Sequence, residues 1–281
     1  LLFTGPKTIV HNIRKCVEKA GLIVNELVIT PLALTETILS DGEKDFGTIV
    51  IDMGGGQTTT AVMHDKQLKF TNTDQEGGEF VTKDISIVLN TSFNNAEALK
   101  INYGDAYPSE NEEFPVDVIG QSEPVKVDER YLSEVISARM EQIFNKAKDA
   151  LDQIEALELP GGVILTGGAA SLPGVVELAQ EIFGVNVKLY VPNHMGLRNP
   201  VFTNVISIVD YSANLSEVYQ LAKSAVTGET AIQHVSVTEH EAPSYDSYES
   251  AEEVTYEEPE EKKSGENVTS KIKGFFTNIF D

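Results

Sequence analysis

The sequence has 281 residues and a single cysteine, Cys16. That excludes an internal disulfide framework and a cysteine-based zinc site, and it suits a reducing compartment. No apolar run reaches the roughly eighteen residues that a membrane-spanning helix needs. Basic residues are few: 21 Lys and Arg stand against 44 Asp and Glu, for a formal charge of −23. A surface of that sign repels phosphate backbones, so no nucleic acid partner is expected. The histidines, His11, His64, His194, His234 and His240, lack metal-ligand spacing. No Ser, His and Asp arrangement suggests nucleophilic catalysis, and no internal repeat is found. The chain opens on Leu1 rather than Met, inside an apparent strand "LLFT" and without a signal-like segment. It is therefore expected to begin within a domain, with any targeting signal upstream of it.

What is present is an ordinary globular composition, 41% hydrophobic, enough for one large domain or two smaller ones. After "LLFT", residues Ile9, Ile13, Cys16, Val17 and Ala20 recur at helical spacing over 6–20, with Gly21 as a stop. "VNELVITPLALTETILS" reads as a short strand, a turn at Thr30-Pro31 and a helix to about Asp41-Gly42. "GTIVIDMGGGQTTTAVMHDKQLKFTNT" reads as paired hairpins with turns at the three glycines and at Asp65-Lys66. Helices are expected over 77–89, over "NNAEALKINYG" and, longest of all, over 128–157, with an irregular acidic stretch up to Pro124. "GGVILTGGAASLPGVVELAQEIFG" adds a buried strand, a glycine turn and a helix from about Pro173 to before Gly184. A strand in "VNVKLYVP" and a helix in "VFTNVISIVDYSAN" complete an alternating α/β pattern. From about residue 226 the periodicity stops. Residues 239–266 carry eleven acidic side chains against Lys262 and Lys263, and 226–267 reads as a disordered acidic linker with an r.m.s. span of roughly 35–40 Å.

The strongest chemical signal is Asp52-Met53-Gly54-Gly55-Gly56-Gln57-Thr58-Thr59-Thr60. A glycine turn without Cβ atoms lets backbone amides approach a phosphate, and the hydroxyls that follow can add donors. An acidic residue ahead of the glycines can hold magnesium through its waters. The competing reading is a tight hairpin whose glycines merely supply positive φ. The stretch is neither a Walker loop nor a dinucleotide fingerprint. About 110 residues on, Thr166-Gly167-Gly168-Ala169 repeats the order of strand and glycines, as two turns facing one nucleotide would require.

These stretches resemble the ATPase superfamily of actin, heat-shock chaperones and sugar kinases. "VIDMGGGQTTTAV" is similar to its second phosphate loop, "GGVILTGGAASLPGVVELAQEIFG" to its adenosine motif, and "AEALKINYG" to the helix whose Glu and Lys contact adenosine, here Glu97 and Lys100. "PLALTETIL" and "NPVFTNVISIVDY" fall where its connecting helices lie. With "VHNIRKCVEKAGL" and the terminal segment, the combination most resembles the FtsA family of bacterial cell division proteins. The resemblance implies a partial actin-like fold with these parts. Residues 1–27 end a family-specific small subdomain and 28–47 hold a connecting helix. Residues 48–84 and 159–198 form the second core subdomain, and 85–158 an inserted subdomain that binds the C-terminal peptide of the tubulin-like protein FtsZ. Residues 199–225 return to the first half, followed by the linker 226–267 and an amphipathic helix 268–281. It also implies ATP with Mg²⁺, held by Asp52, Gly54, Gly55, Gly56, Gln57, Thr58, Thr59, Glu97, Lys100, Gly167, Gly168 and Ala169, with Asp52 meeting the metal through water. Self-association into filaments, other division proteins and a peripheral place on the cytoplasmic face of the membrane at the division site follow from it too. A pilus-assembly relative or a superfamily kinase or ATPase with real turnover is the alternative.

Two departures bear on catalysis. The first phosphate loop of the superfamily is expected upstream of Leu1, and the water-orienting Glu or Gln of hydrolytic relatives is replaced by Thr30-Pro31. Because a hydroxyl is a poor base, slow hydrolysis at most is expected, with Glu36 a weak substitute. On the long helix, Arg139, with Lys146 beside it, is the residue the resemblance points to for pairing with a carboxylate of the FtsZ peptide. Pairing of Arg139 with Glu134 or Glu141 on a solvated face is the alternative. In the last fourteen residues a helical wheel places Val268, Ile272, Phe275, Phe276, Ile279 and Phe280 within about 140°, flanked by Lys271 and Lys273. That is the pattern of an in-plane helix on an anionic membrane. Partial burial of six apolar side chains contributes on the order of 6–9 kcal/mol before the cost of ordering, so several copies together would bind far better than one. Docking of this helix onto the domain's own core is the alternative.

Overall fold

A computed structural model describes residues 4–24, 26–107, 112–215 and 225. The linker and the terminal helix, and the first residues of the "LLFT" strand, lie outside the described residues. A central strand organises the rest. Thr48-Ile49-Val50-Ile51-Asp52-Met53 forms β1 (Thr48–Met53), buried along its whole length, as expected of a β-branched run covered on both faces. It pairs antiparallel with β2 (Thr58–His64), which pairs antiparallel with β3 (Gln67–Asp74). On its other side β1 pairs parallel with β6 (Val163–Thr166), and β6 with β7 (Val187–Leu189), in the order β3-β2-β1-β6-β7. Asp65 and Lys66, both at positive φ, make the β2–β3 turn.

The two-residue period divides the core. Ile49, Ile51, Met53, Val62, Val163 and Leu165 belong to the larger hydrophobic cluster, whereas Val50, Ala61, Met63 and Ile164 belong to a smaller one with Leu39. The larger cluster is closed by α4 (Gly78–Val88), α5 (Phe93–Tyr103), α6 (Glu129–Asp152) and α7 (Val175–Phe183). On α6, Leu132, Ile136, Met140, Phe144, Ala147 and Leu151 recur every three or four residues and are buried. Phe144 meets the edge of Phe183 at 5.5 Å. The smaller cluster is covered by α2 (Thr30–Ile38), against which α8 (Thr203–Ala213) packs; Thr37 on α2 donates to the Ser207 carbonyl on α8. The helix α1 (Lys7–Lys19) buries no residue, although its apolar stripe is where the spacing expects it.

Several local expectations are corrected. Residues 22–29 form no strand among those described, and Ile23 is 93% exposed with no neighbouring strand. Thr30-Pro31 is not a turn but the first turn of α2, where a proline lacks only an amide the helix does not need. That helix stops at Ile38, and a second, α3 (Asp41–Phe46), starts because Ser40 and Glu43 exchange capping-box hydrogen bonds. The stretch up to Pro124 expected to be irregular contains β4 (Glu113–Val116), which forms a hairpin with β5 (Val125–Asp128) just beyond it, held to α5 by stacking of Phe114 on Tyr103 at 4.4 Å. The long helix ends at Asp152 rather than near 157, because Glu155 turns left-handed at φ 54°. The boundary set at 84/85 falls inside α4, and helix α6 of the expected insertion shares the larger core cluster with the sheet.

Candidate functional site: two glycine turns on adjacent parallel strands

Because β1 and β6 are parallel neighbours with Asp52 opposite Thr166, the turns that follow them leave the sheet side by side. Crevices outside the carboxyl ends of parallel strands are where α/β sheets bind ligands. Contact between the turns is close. Gly167 has φ 92°, and a Cβ there would lie 2.5 Å from the Met53 carbonyl and 2.6 Å from Asp52 Oδ1. Only glycine fits. Gly168 is right-handed at φ −61°, and a Cβ on it would touch only Val201.

Gly54, Gly55 and Gly56 are not among the positive-φ residues, so the reading in which they merely permit a left-handed hairpin is overturned. The close approach of the next helix requires a glycine at position 77 instead. The carbonyl of Gly54 accepts from the amide of Gly78 at 2.9 Å, and that of Gly55 from the amide of Glu79 at 2.8 Å. A Cβ on Gly77 would lie 2.4 and 2.5 Å from those two carbonyl oxygens. With the loop's carbonyls tied back to α4, the amides of Gly55, Gly56 and Gln57 have no partner among the described residues, and all three residues are exposed. Successive backbone amides without partners at a turn are the groups from which an anion cradle is built.

The hydroxyls expected to add donors are engaged elsewhere. Thr58, buried as the first residue of β2, donates to the Glu76 carbonyl at 2.8 Å, and buried Thr59 pairs with Thr73 at 3.2 Å. The cradle is built of backbone.

Asp52 is 7% exposed. Its Oδ2 accepts from Asn204 Nδ2 on α8 at 2.8 Å, while Oδ1 is buried without a partner. Burial raises its pKa above the ordinary value, and the Asn204 hydrogen bond works against that rise. Beside it, Thr166 and Thr203 share a buried hydrogen bond of 2.8 Å, so the start of α8 is fastened to the ends of β1 and β6. Asn204 was not singled out from the sequence. Nothing in a lone Asn on a helix marks it until the fold brings position 204 to position 52.

Glu97 and Lys100 on α5 meet α4. Lys100 Nζ donates to Glu97 Oε2 and Thr82 Oγ1, both at 2.7 Å, and to the Gly78 carbonyl at 3.1 Å. Burial acts to raise the pKa of Glu97, but hydrogen bonds from Lys100 and Thr82, with the Lys100 charge, bring it below the ordinary value. A Cβ on Gly78 would lie 3.2 Å from Ala169 Cβ and 3.7 Å from Lys100 Nζ. Close approaches thus link these stretches pairwise: Gly167 to Asp52, Gly54 and Gly55 to the start of α4, and Gly78 on α4 to Ala169 and Lys100, with Glu97 beside Lys100. The structure adds Thr82, Asn204 and Glu79, whose carboxylate would be 3.5 Å from a Cβ on Gly55.

Arg139 and Lys146 lie apart from these contacts, on α6. Arg139 pairs with neither Glu134 nor Glu141. It forks onto Asp84 of α4, Nε to Oδ2 at 2.5 Å and Nη2 to Oδ1 at 3.1 Å, and reaches Glu76 at 3.3 Å. Lys146 pairs with Glu76 at 2.6 Å and Asp74 at 3.3 Å. Arg139 lines a groove of about 380 Å³ between α4 and α6, with Asp84, Val88, Glu134, Val135, Ala138 and Gln142. The tail residues Val268 to Phe280 lie outside the described residues.

The family model of cell division protein FtsA matches residues 49–207, and that of its C-terminal region matches 218–281. The chain is 87% identical over 286 residues to the cell division protein FtsA of Enterococcus hirae, covering 100% of this chain and 65% of that one. It is 73% identical over 284 residues to that of Enterococcus faecalis, covering 100% and 64%, and 38% identical over 240 residues to that of Bacillus subtilis, covering 84% and 54%. The chain thus spans no more than about two thirds of the length of these relatives. Among solved structures it resembles MreB5 of Spiroplasma citri bound to ADP, with TM-score 0.61 and 15% identity over 80% of this chain and 69% of that one. It also resembles the MamK double helical filament, with TM-score 0.58 and 16% identity over 75% and 66%. At such identities the likeness speaks for the actin-like fold alone. With the sheet order, the paired glycine turns and both family models in agreement, the chain belongs to the FtsA family of cell division proteins.

Proposed function

We propose that this chain carries the nucleotide-binding, partner-binding and membrane-attaching parts of an actin-like division protein that holds FtsZ filaments at the cytoplasmic face of the membrane. The observation that carries the nucleotide part is the close approach of Gly167 to Asp52 and Met53 beside a loop whose Gly55, Gly56 and Gln57 amides have no partner among the described residues. ATP fits this crevice: Gly55, Gly56 and Gln57 offer amides to phosphate, and Glu97, Lys100, Gly78 and Ala169 wall the nucleoside side. Magnesium fits as well, since Asp52 Oδ1 is a carboxylate oxygen lacking a donor, the kind of acceptor that a hydrated Mg²⁺ satisfies through its water. The metal's contribution is charge neutralisation of the phosphates.

Hydrolysis is slow in this reading. Thr30-Pro31 begins α2 without an acid or amide, and Glu36 is held by Lys44 at 2.9 Å. Nucleotide acts as a structural ligand that fastens the two turns and α8 together. The groove beside Arg139 receives the acidic FtsZ peptide, which must displace Asp84 to take the guanidinium fork. The match of the C-terminal family model to 218–281 favours the division protein over a pilus-assembly relative. The amphipathic 268–281 segment then supplies membrane attachment, multiplied when copies assemble into filaments.

Two measurements test this. Full-length protein should float with anionic liposomes and the protein lacking 268–281 should not; equal flotation removes the tether. Asp52→Ala should weaken ATP binding in Mg²⁺ roughly tenfold or more, and an unchanged affinity takes Asp52 out of the site.

A further inference from the structure

Thr82 is fully buried on α4, one turn beyond Gly78. Its hydroxyl donates to Glu97 Oε2, accepts from Lys100 Nζ at 2.7 Å and lies 3.1 Å from the Gly78 carbonyl. A helical threonine commonly closes its hydroxyl onto the carbonyl four residues back. Here that contact is the longer one and the proton goes to the carboxylate. The Lys100 ammonium has three protons, and three acceptors surround it: the Gly78 carbonyl, Thr82 and Glu97. Thr82 and Lys100 both bind Glu97 through Oε2, so Oε1 is the acceptor that the cluster leaves available, on a side chain 39% exposed.

We propose that Thr82 is a positioning residue that, together with Lys100, orients the Glu97 carboxylate so that its Oε1 accepts a hydrogen bond from the nucleoside. The donor is a ribose hydroxyl or the exocyclic amine of adenine, and both belong to ATP. This rests on the nucleotide reading of the crevice. Valine at position 82 would occupy nearly the same volume but leave one ammonium proton of Lys100 and one lone pair of Glu97 Oε2 unmatched. The carboxylate would then turn toward Lys100 and lose its aim.

The test is calorimetric titration of the full chain with ATP, 2′-deoxy-ATP and inosine triphosphate. The unaltered protein should bind ATP roughly tenfold more tightly than whichever analogue lacks the donor that Glu97 uses. Thr82→Val should bring that ratio to about one while affinity for the same analogue stays within about twofold, and Thr82→Ser should restore the ratio. Thr82→Ala provides the same comparison should valine fail to pack, with urea unfolding of each variant as the check on folding. An unchanged ratio in the hydroxyl-free variants, or an equal loss for all three nucleotides, overturns the proposal. An unaltered protein that binds ATP without discriminating either analogue also overturns it and leaves nucleotide binding standing. One that binds none of the three removes the nucleotide reading and this inference with it.

Discussion

Replacing Asp84 with Ala should lower the stability of the fold by about 2 kcal/mol, a figure set by how the Arg139 network is placed. Both side chains are partly buried, Arg139 at 18% and Asp84 at 26% exposure, and the fork onto the two carboxylate oxygens is bidentate. Exposed ion pairs contribute about 0–1 kcal/mol, and loss of one partner from a buried pair costs about 3–5 kcal/mol. The intermediate burial puts the change between these limits. Arg139 also keeps Glu76 at 3.3 Å and Gln142 at 3.0 Å when Asp84 is gone, which holds the cost to the lower half of that range. Arg139→Ala should cost more, about 3 kcal/mol, because Asp84 and Glu76 lose their shared counter-charge and the Phe80 ring loses the guanidinium 5.7 Å from its centroid. Urea unfolding of the two single variants and the double variant closes a cycle whose coupling energy should be about 1–2 kcal/mol. A coupling below about 0.3 kcal/mol would mean that the pair does not form in solution, and the structural argument about Arg139 would fail. The same variants read out partner binding in opposite directions. In the proposed reading, Asp84→Ala frees the Nε and Nη2 edge of the guanidinium and should strengthen binding of the FtsZ C-terminal peptide, while Arg139→Ala should abolish it.

Three further outcomes follow from the glycine contacts and from Glu97. Gly77→Ala should destabilise the fold by several kcal/mol, since its Cβ would meet three backbone atoms within 2.8 Å. Gly55→Ala meets only the Glu79 side chain, at 3.5 Å or beyond, and should leave the unfolding midpoint nearly unchanged while reducing ATP affinity; loss of folding there would contradict the open cradle. The pKa of Glu97 is held below its ordinary value of 4.5 in the fold. The carboxylate therefore adds stability at pH values above 4.5 that disappears as pH falls through the lowered value. Glu97→Gln should accordingly flatten the acid side of a stability-against-pH curve, and an unchanged acid limb would show that the Lys100 and Thr82 contacts do not hold it.

Much of the site was legible in the chain because its signals are local. Glycines after a β-branched run imply a turn whatever surrounds them, and the pair of such turns with the Glu97 to Lys100 spacing carried the family resemblance. The Ser40–Glu43 capping box is equally local, yet the expected helix runs through it to about Asp41-Gly42 and the helix it starts, α3, is not among the expected elements. The hairpin Glu113–Val116 with Val125–Asp128 was hidden by its short length and by charged residues on its outer face.

The sequence by itself determined the alternation of strands and helices, the two glycine turns, the surplus of negative charge and the amphipathic pattern of 268–281, since each depends on residues close together in the chain. Tertiary structure alone decided which groups meet across it. Parallel pairing of β1 with β6 sets Gly167 against Asp52, packing of α8 brings Asn204 to the same carboxylate, and packing of α4 on α5 and α6 gives Lys100 two of its three acceptors and Arg139 its counter-charge. Those contacts join positions 18 to 152 residues apart, and no periodicity in the chain encodes them. They arise where buried polar groups must find partners once the hydrophobic faces of separate elements have closed on one another.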